Sequence, residues 1–443
     1  MDTLSGYFQD KDVKSLQLAL REGRITCRGL VLEALESIEA LNPTLNAFVH
    51  IAGESALEAA RQFDEEGAKG WWRGPLHGLP IAVKDNIDVA GMPTTYGSHF
   101  FATHVPTSDA SVISRLRDAG AIIIGKTLTS EFALGPTGEF SLQGAARNPH
   151  NPDHMSGGSS AGSAVAVASG MVPFALGTDT AGSIRIPAGF CGIVGFKPSY
   201  QTISTQGVFP VSGTLDHVGP MAKTVADASI LYHALVNADQ PQTETISVKR
   251  VGWINANDLI NVAGEVDVAC RAAVQRLFPD ATQIEVSIAD FSDRARALFT
   301  TVFLSEGFEV HQHRMLNSSD VFSQEQYNRL LPGGKILAWE YVAAKKGIAE
   351  LVIELTKLFD QVDVLVMPTL ALTAPLIGSK EVSIQGKTYS AREAINMLTS
   401  LWSLAGFPAV SVPAENREGL PCGLQVVMPL NADSQLMSVL AQA

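Results

Sequence analysis

Residues 78–89, GLPIAVKDNIDV, read as a strand whose apolar run, Pro80 to Val83, is closed by a lysine. An ammonium at Lys84 would have to leave water among those neighbours. Working outward, short runs rich in Val and Ile recur at 121–125 (AIIIG), 250–254 (RVGWI) and 362–368 (VDVLVMP), separated by helical patterns. From Thr26 to Ile38, for example, Leu30, Val31, Ala34, Leu35 and Ile38 repeat at helical spacing, with Thr26 as N-cap and Asn42-Pro43 as the stop. This alternation predicts an α/β fold: a single large domain with a central mixed, twisted β-sheet flanked by α-helices on both faces. The most linker-like stretch, NADQPQTETISVKR at 237–250, is short, and reads as a connection between two portions of that one domain.

An apolar fraction of 46% and a charged fraction of 17% over 443 residues describe a chain with a large core. The net charge of -13, with no long basic run, excludes nucleic acid as the main partner. The N-terminus is charged from Asp2 and lacks an apolar signal core. The least polar stretch, Ser163 to Gly177, is broken by Gly and Pro and is too short to span a membrane. A cytoplasmic location and no membrane span are therefore expected. Cys27, Cys191, Cys270 and Cys422 show no paired spacing and read as buried free thiols. His311 and His313, the only close histidine pair, would point to different helix faces, so no metal is expected.

GAIIIGKT, Gly120 to Thr127, matches the literal pattern of a phosphate-binding loop and makes a nucleotide-binding protein the rival class. Such a loop needs a supple turn between its glycines. Ala121-Ile122-Ile123-Ile124 is itself a strand, since β-branched residues resist that curl, and a buried strand ending at Gly125 is the better reading.

Two Gly- and Ser-rich segments carry the chemistry: SGGSSAGSAVAVASG (156–170) and GTDTAGSIRIPAGFCGIVGFKPS (177–199). The first places serines where a small-residue helix begins; Ser160 and Ser163 read as polar groups of that helix start. Ser183 sits in a second tight turn. A serine needs a base within hydrogen-bond reach, and neither segment contains a histidine. His150 and His154 lie just upstream and stay open. Lys84 is the other candidate: holding it neutral at pH 7 works against an unperturbed pKa near ~10.4, roughly 4.6 kcal/mol. Burial can supply a change of that size. Asp85 alternates to the other face of the strand and need not restore the charge.

The chain resembles the amidase signature family. GLPIAVKDNID, GAIIIGKTLTSEFA, the block from Asn148 to Ser199, LDHVGPMAKTVADA, VDVLVMPT, LAGFPAVSVPA and GLPCGLQVV occur in the family's order along nearly the whole chain. The resemblance implies a Ser-Ser-Lys triad, with Ser183 as nucleophile, Ser159 as the bridging serine after a cis peptide, and Lys84 as base. It implies an oxyanion hole from the backbone N–H groups of Thr180, Ala181, Gly182 and Ser183. Asp179 and Arg185 would tie that loop down, and Asn86 would help orient Lys84. No metal or cofactor is implied. It also divides the single domain, 1–443, into N-terminal helices at about 10–65, a catalytic core at about 75–235, a variable substrate-pocket region at about 250–360 and C-terminal core strands at about 362–443.

Three departures and choices follow. Ala181 stands where the family often has Gly, which would cost energy if that position required a positive φ. The chain is short for the family, which implies less closure over substrate from C-terminal elements. Ile186 follows Arg185 where amidotransferase glutaminase subunits have Gln, which disfavours glutamine as donor. The expected substrate is a small, fairly apolar amide, with carbamate or ester turnover besides; a glutaminase subunit of a tRNA-dependent amidotransferase is the alternative. Leu298 to Leu331, Phe140 and Gly207 to Gly213 offer groups for an apolar pocket, or for ordinary core. A homodimer is a further expectation.

Overall fold

The β-branched runs become the strands of one sheet, because residues stiff at χ1 fit a pleated surface buried on both sides. The computed structural model describes residues 4–236, 246–317, 322–416 and 419–442; the linker-like segment lies outside the described residues up to 245. Among the described residues the sheet has eleven strands: β1 (Phe48–Ile51), β2 (Pro80–Lys84), β3 (Ile122–Thr127), β4 (Phe174–Asp179), β5 (Val194–Lys197), β6 (His217–Ala222), β7 (Arg250–Ile254), β8 (Thr282–Val286), β9 (Val364–Pro368), β10 (Ala409–Ala414) and β11 (Cys422–Val427). Their spatial order is β1-β3-β2-β4-β6-β5-β10-β11-β9-β7-β8. Strand β2 runs parallel to both β3 and β4, whereas β4 and β6 are antiparallel, so the sheet is mixed as the sequence predicts. One continuous sheet and one dominant apolar core make the chain a single α/β domain.

The helices that matter for the site are α1 (Val13–Arg21), α2 (Cys27–Leu45), α3 (Gly53–Ala68), α4 (Ala161–Ala168), α5 (Arg185–Cys191), α6 (Ala289–Asn317) and α7 (Ala338–Thr356). Thr26 caps α2 by accepting the Gly29 N–H at 2.8 Å, as expected. The predicted stop at Asn42-Pro43 is wrong by one turn. The helix continues through Pro43 although proline offers no N–H to the carbonyl four residues back, and Leu41 and Leu45 are both buried there. The end falls at Asn46, whose left-handed backbone (φ 50°) terminates the helix.

Gly120 to Thr127 is no phosphate loop. Ile122–Thr127 is strand β3, fully buried and paired in parallel with β2, and it runs two residues past the expected end at Gly125. The Lys126 ammonium turns to the Ile87 carbonyl and Thr94 hydroxyl, each at 2.7 Å, and lies 3.3 Å from Asp85. Asp85 thus spends its charge away from Lys84, on the face the strand alternation assigns it. The four cysteines are free and buried, His311 is buried while His313 is exposed, and no described helix is long and apolar enough to cross a membrane. Because β3 has neither a loop nor a free lysine, millimolar ATP or GTP should leave the thermal unfolding midpoint unchanged; a rise in melting temperature with either nucleotide would contradict this reading of Gly120 to Thr127.

Candidate active site

Strands β2 and β4 lie side by side in parallel, with Val83 opposite Leu176, so their C-terminal ends deliver Lys84, Thr178 and Asp179 to one edge of the sheet. Lys84 has no exposed surface. Its Nζ reaches Ser159 Oγ at 2.8 Å, Thr178 Oγ1 at 2.7 Å and the Thr178 carbonyl at 3.4 Å. Burial pushes its pKa down to about 7, against the pull of the Asp179 and Asp216 carboxylates. Asn86 bears on Lys84 only at one remove: its Nδ2 donates to Thr178 Oγ1 at 3.1 Å.

The Gly158–Ser159 peptide is cis. Gly158 is confined: a Cβ there would sit 2.8 Å from both Gly135 O and Gly138 N, so only glycine lets the two turns meet. Beyond Ser159 the chain enters α4. Ser160 occupies the N-cap position but makes no cap bond; its hydroxyl donates to the Thr178 carbonyl at 3.1 Å and accepts the Thr178 N–H at 3.2 Å. Ser163 likewise donates to the Leu176 carbonyl at 2.8 Å. Both serines therefore fasten the helix to β4 and serve the strand, not the helix start expected from sequence.

After β4 the chain turns through residues 180–184 into α5. Asp179 organises this turn. Its carboxylate accepts the N–H groups of Gly182 (2.8 Å) and Ile184 (3.2 Å), two bonds from Arg185 at 3.0 Å, and the Ser403 hydroxyl at 3.0 Å. Burial works against this charge, but the Arg185 guanidinium overrides it and holds the carboxyl well below the usual carboxylate range. Arg185 in turn donates to Ser403 and Gln425, and Thr399 donates to the Ala181 carbonyl at 2.6 Å. Asp179 and Arg185 thus bond the turn to α5 and β11, and Thr399, Ser403 and Gln425, which the sequence does not single out, bond to the same groups. Gln425 lies inside the motif GLPCGLQVV and Thr178, the partner of Lys84, inside the segment 177–199, but nothing local marks Thr399 or Ser403.

Two expectations about the turn change. Gly182 cannot be a free donor, since its N–H is already committed to Asp179, whereas the N–H groups of Thr180, Ala181 and Ser183 find no acceptor among the described residues. The left-handed backbone falls at Gly182 (φ +134°), where a Cβ would strike Thr399 Oγ1, and not at Ala181, so alanine costs nothing in its place. Ser183 is half-buried, and its hydroxyl bonds to nothing among the described residues. Its carbonyl accepts the Ser160 N–H at 3.2 Å, which draws the two serine segments together. His150 and His154 are tied elsewhere, to the carbonyls of Cys191 and Ala374, so of the candidate bases left open by sequence only Lys84 is bonded to Ser159.

Comparisons with known proteins give the family. Residues 29–437 match the family model described as Amidase. The chain belongs to the amidase signature family. It is thereby an amide C–N hydrolase by family. It is similar to a glutamyl-tRNA(Gln) amidotransferase subunit of Synechococcus sp. (strain CC9605), at 34% identity over 98% of this chain and 96% of that protein. A solved structure described as "Crystal structure of amidase" superposes with a TM-score of 0.91 at 36% identity, covering 97% of this chain and 98% of that one. Another, from a vestigial complex bearing on the origins of an s-triazine catabolic enzyme, gives 0.92 at 30% identity over 97% of each chain.

The segments proposed for an apolar pocket divide. Phe209 packs against Tyr96 (ring centroids 4.4 Å), Phe132 (5.5 Å) and His311 (5.7 Å), as core. Phe140 and Phe322 instead line an open cleft of about 470 Å³ together with Glu131 and His99. Residues 318–321 of this stretch lie outside the described residues.

The buried amine leaves a thermodynamic trace. Between its folded pKa near 7 and an unfolded value near ~10.4, the unfolded chain holds a proton at Lys84 that the folded chain does not. Stability therefore rises with pH through that window, by about 1.4 kcal/mol per pH unit for one such group. Lys84→Met should reduce the rise by up to that amount, read from urea unfolding at pH 7, 8 and 9; an identical slope in wild type and variant would show that Lys84 is charged when folded.

Proposed function

We propose that this chain cleaves the C–N bond of a small, fairly apolar amide through an acyl-enzyme on Ser183, with Ser159 and Lys84 relaying the proton and with aryl carbamate or ester turnover alongside. The observation that carries the reading is the 2.8 Å contact of a fully buried Lys84 Nζ with Ser159 Oγ. A neutral amine has two protons and one lone pair. With the protons given to the Thr178 carbonyl and hydroxyl, the lone pair faces Ser159.

In the forward step the Ser183 hydroxyl proton passes to Ser159 Oγ as the Ser159 proton passes to Lys84. The Ser183 oxygen bonds to the substrate carbonyl carbon, and the C=O pair moves onto oxygen. That oxyanion meets the uncommitted N–H groups of Thr180, Ala181 and Ser183, each such donor being worth roughly 2.7 to 4 kcal/mol. When the C–N bond breaks, the nitrogen takes back the proton held on Lys84 and leaves as amine. Water, deprotonated by the same relay, then attacks the acyl carbon and releases the carboxylic acid and Ser183. These are the chain's own groups; the reading calls on no cofactor.

The apolar substrate class carries over the expectation from sequence; of the segments named for it, Phe140 and Phe322 line a cleft that includes none of Lys84, Ser159 and Ser183. A second reading, a glutaminase subunit that works with partner subunits on glutamine, is favoured by the curated relatives at 34% and 36% identity. Ile186 bears on that choice less directly than the sequence suggests. Its side chain is buried in a small apolar cluster with Met155, Phe190, Leu370, Ala374 and Ile395, so it reflects packing under the turn.

The purified chain alone, without ATP, tRNA or partner, should release ammonia or amine from simple primary and aryl amides; strict dependence on a second subunit would favour the glutaminase reading. Ser183→Ala should abolish covalent labelling by a fluorophosphonate. Lys84→Ala should lower the labelling rate by about 10²-fold or more while leaving the protein folded, and a rate near wild type would remove Lys84 from the mechanism.

A further inference from the structure

Resting on the reading of Ser183 above, we propose that Asp216 is a positioning residue of this site: its carboxylate holds Thr180, and so the donor-bearing turn. Thr180 Oγ1 donates to Asp216 Oδ1 at 2.6 Å, and Thr180 is the first residue after β4, immediately before Ala181, Gly182 and Ser183. The carboxylate cannot swing away. It also accepts the N–H groups of Val211 (2.9 Å) and Ser212 (3.1 Å), which belong to a turn that is itself clamped.

The clamp is Glu306 on α6. It accepts the Ser212 hydroxyl, the Thr214 N–H at 3.0 Å and the Thr214 hydroxyl at 2.7 Å, and it is steadied by the Tyr341 hydroxyl of α7 at 2.7 Å. A continuous run of hydrogen bonds therefore links two helices outside the sheet to the turn that carries Ser183. Asp179 holds the same turn from the side of α5 and β11, so the loop is pinned at both ends: Asp216 at Thr180, Asp179 at Gly182 and Ile184.

Asp216 lines a cleft of about 520 Å³ together with Arg115 and Tyr200. Burial raises its carboxyl to about 6, with the bonds from Thr180, Val211 and Ser212 opposing. Thr180→Val removes the hydroxyl that reaches Asp216 and leaves the carboxylate its bonds from Val211 and Ser212; Thr180→Ser restores the hydroxyl.

The test is the second-order rate of fluorophosphonate labelling against pH, which needs no knowledge of the natural substrate. In Thr180→Val the plateau should fall about tenfold or more with its acid limb in place, and Thr180→Ser, which keeps the hydroxyl, should recover most of the loss. A Thr180→Val plateau within about twofold of wild type, or a Thr180→Ser plateau no higher than that of Thr180→Val, overturns the inference. Labelling that survives Ser183→Ala defeats the proposed function itself, and this inference with it; labelling lost in Ser183→Ala but unaltered in the other variants defeats the inference only.

Discussion

An amine buried at the end of β2 sets the terms for everything around it. With no exposed surface at Lys84, an ammonium would be stripped of water and left with hydroxyls and one carbonyl in exchange. That trade is unfavourable, and it brings the pKa of the amine down to about 7. The parallel register of β2 and β4 is what makes the arrangement possible. Val83 opposite Leu176 brings Thr178 beside Lys84, and Thr178 supplies acceptors on the side away from Ser159.

The same strand end carries a charge that must be kept. Asp179 is buried one residue beyond Thr178, and its carboxylate is satisfied from several directions: the turn it precedes, Arg185, and Ser403 from far along the chain. A buried ion pair contributes little net stability once desolvation is counted, but breaking one is costly. Its value here is geometric. Arg185 also reaches Gln425 on β11, so the turn bearing Ser183 is fixed against the C-terminal third of the sequence.

Small residues let these pieces approach. The helix α4 has Ala161, Gly162, Ser163 and Ala164 where it meets the strands, and the hydroxyls of Ser160 and Ser163 replace cap bonds with bonds to β4. The Gly and Ser content that looks like loop chemistry in the sequence is largely the chemistry of close packing between a helix and a strand. At Gly182 the demand is stricter, since both the backbone angle and the neighbouring Thr399 exclude a side chain.

The strands were legible from sequence because β-branched runs have few other uses, and the same stiffness ruled out a phosphate loop at Gly120 to Thr127. The motifs placed Lys84, Ser159 and Ser183 in a family, and the apolar run before Lys84 already required its burial. What the sequence could not supply were partners. Lys84 meets a hydroxyl 94 residues away, Arg185 a side chain 240 away, and Asp216 a turn 36 residues before it. Hydrophobic period and turn chemistry are local signals, while a hydrogen bond needs two groups at one point in space. Only the folded sheet therefore decided that Gly182 gives its N–H to Asp179, that Lys126 answers Asp85, and that α2 passes through Pro43 before it ends.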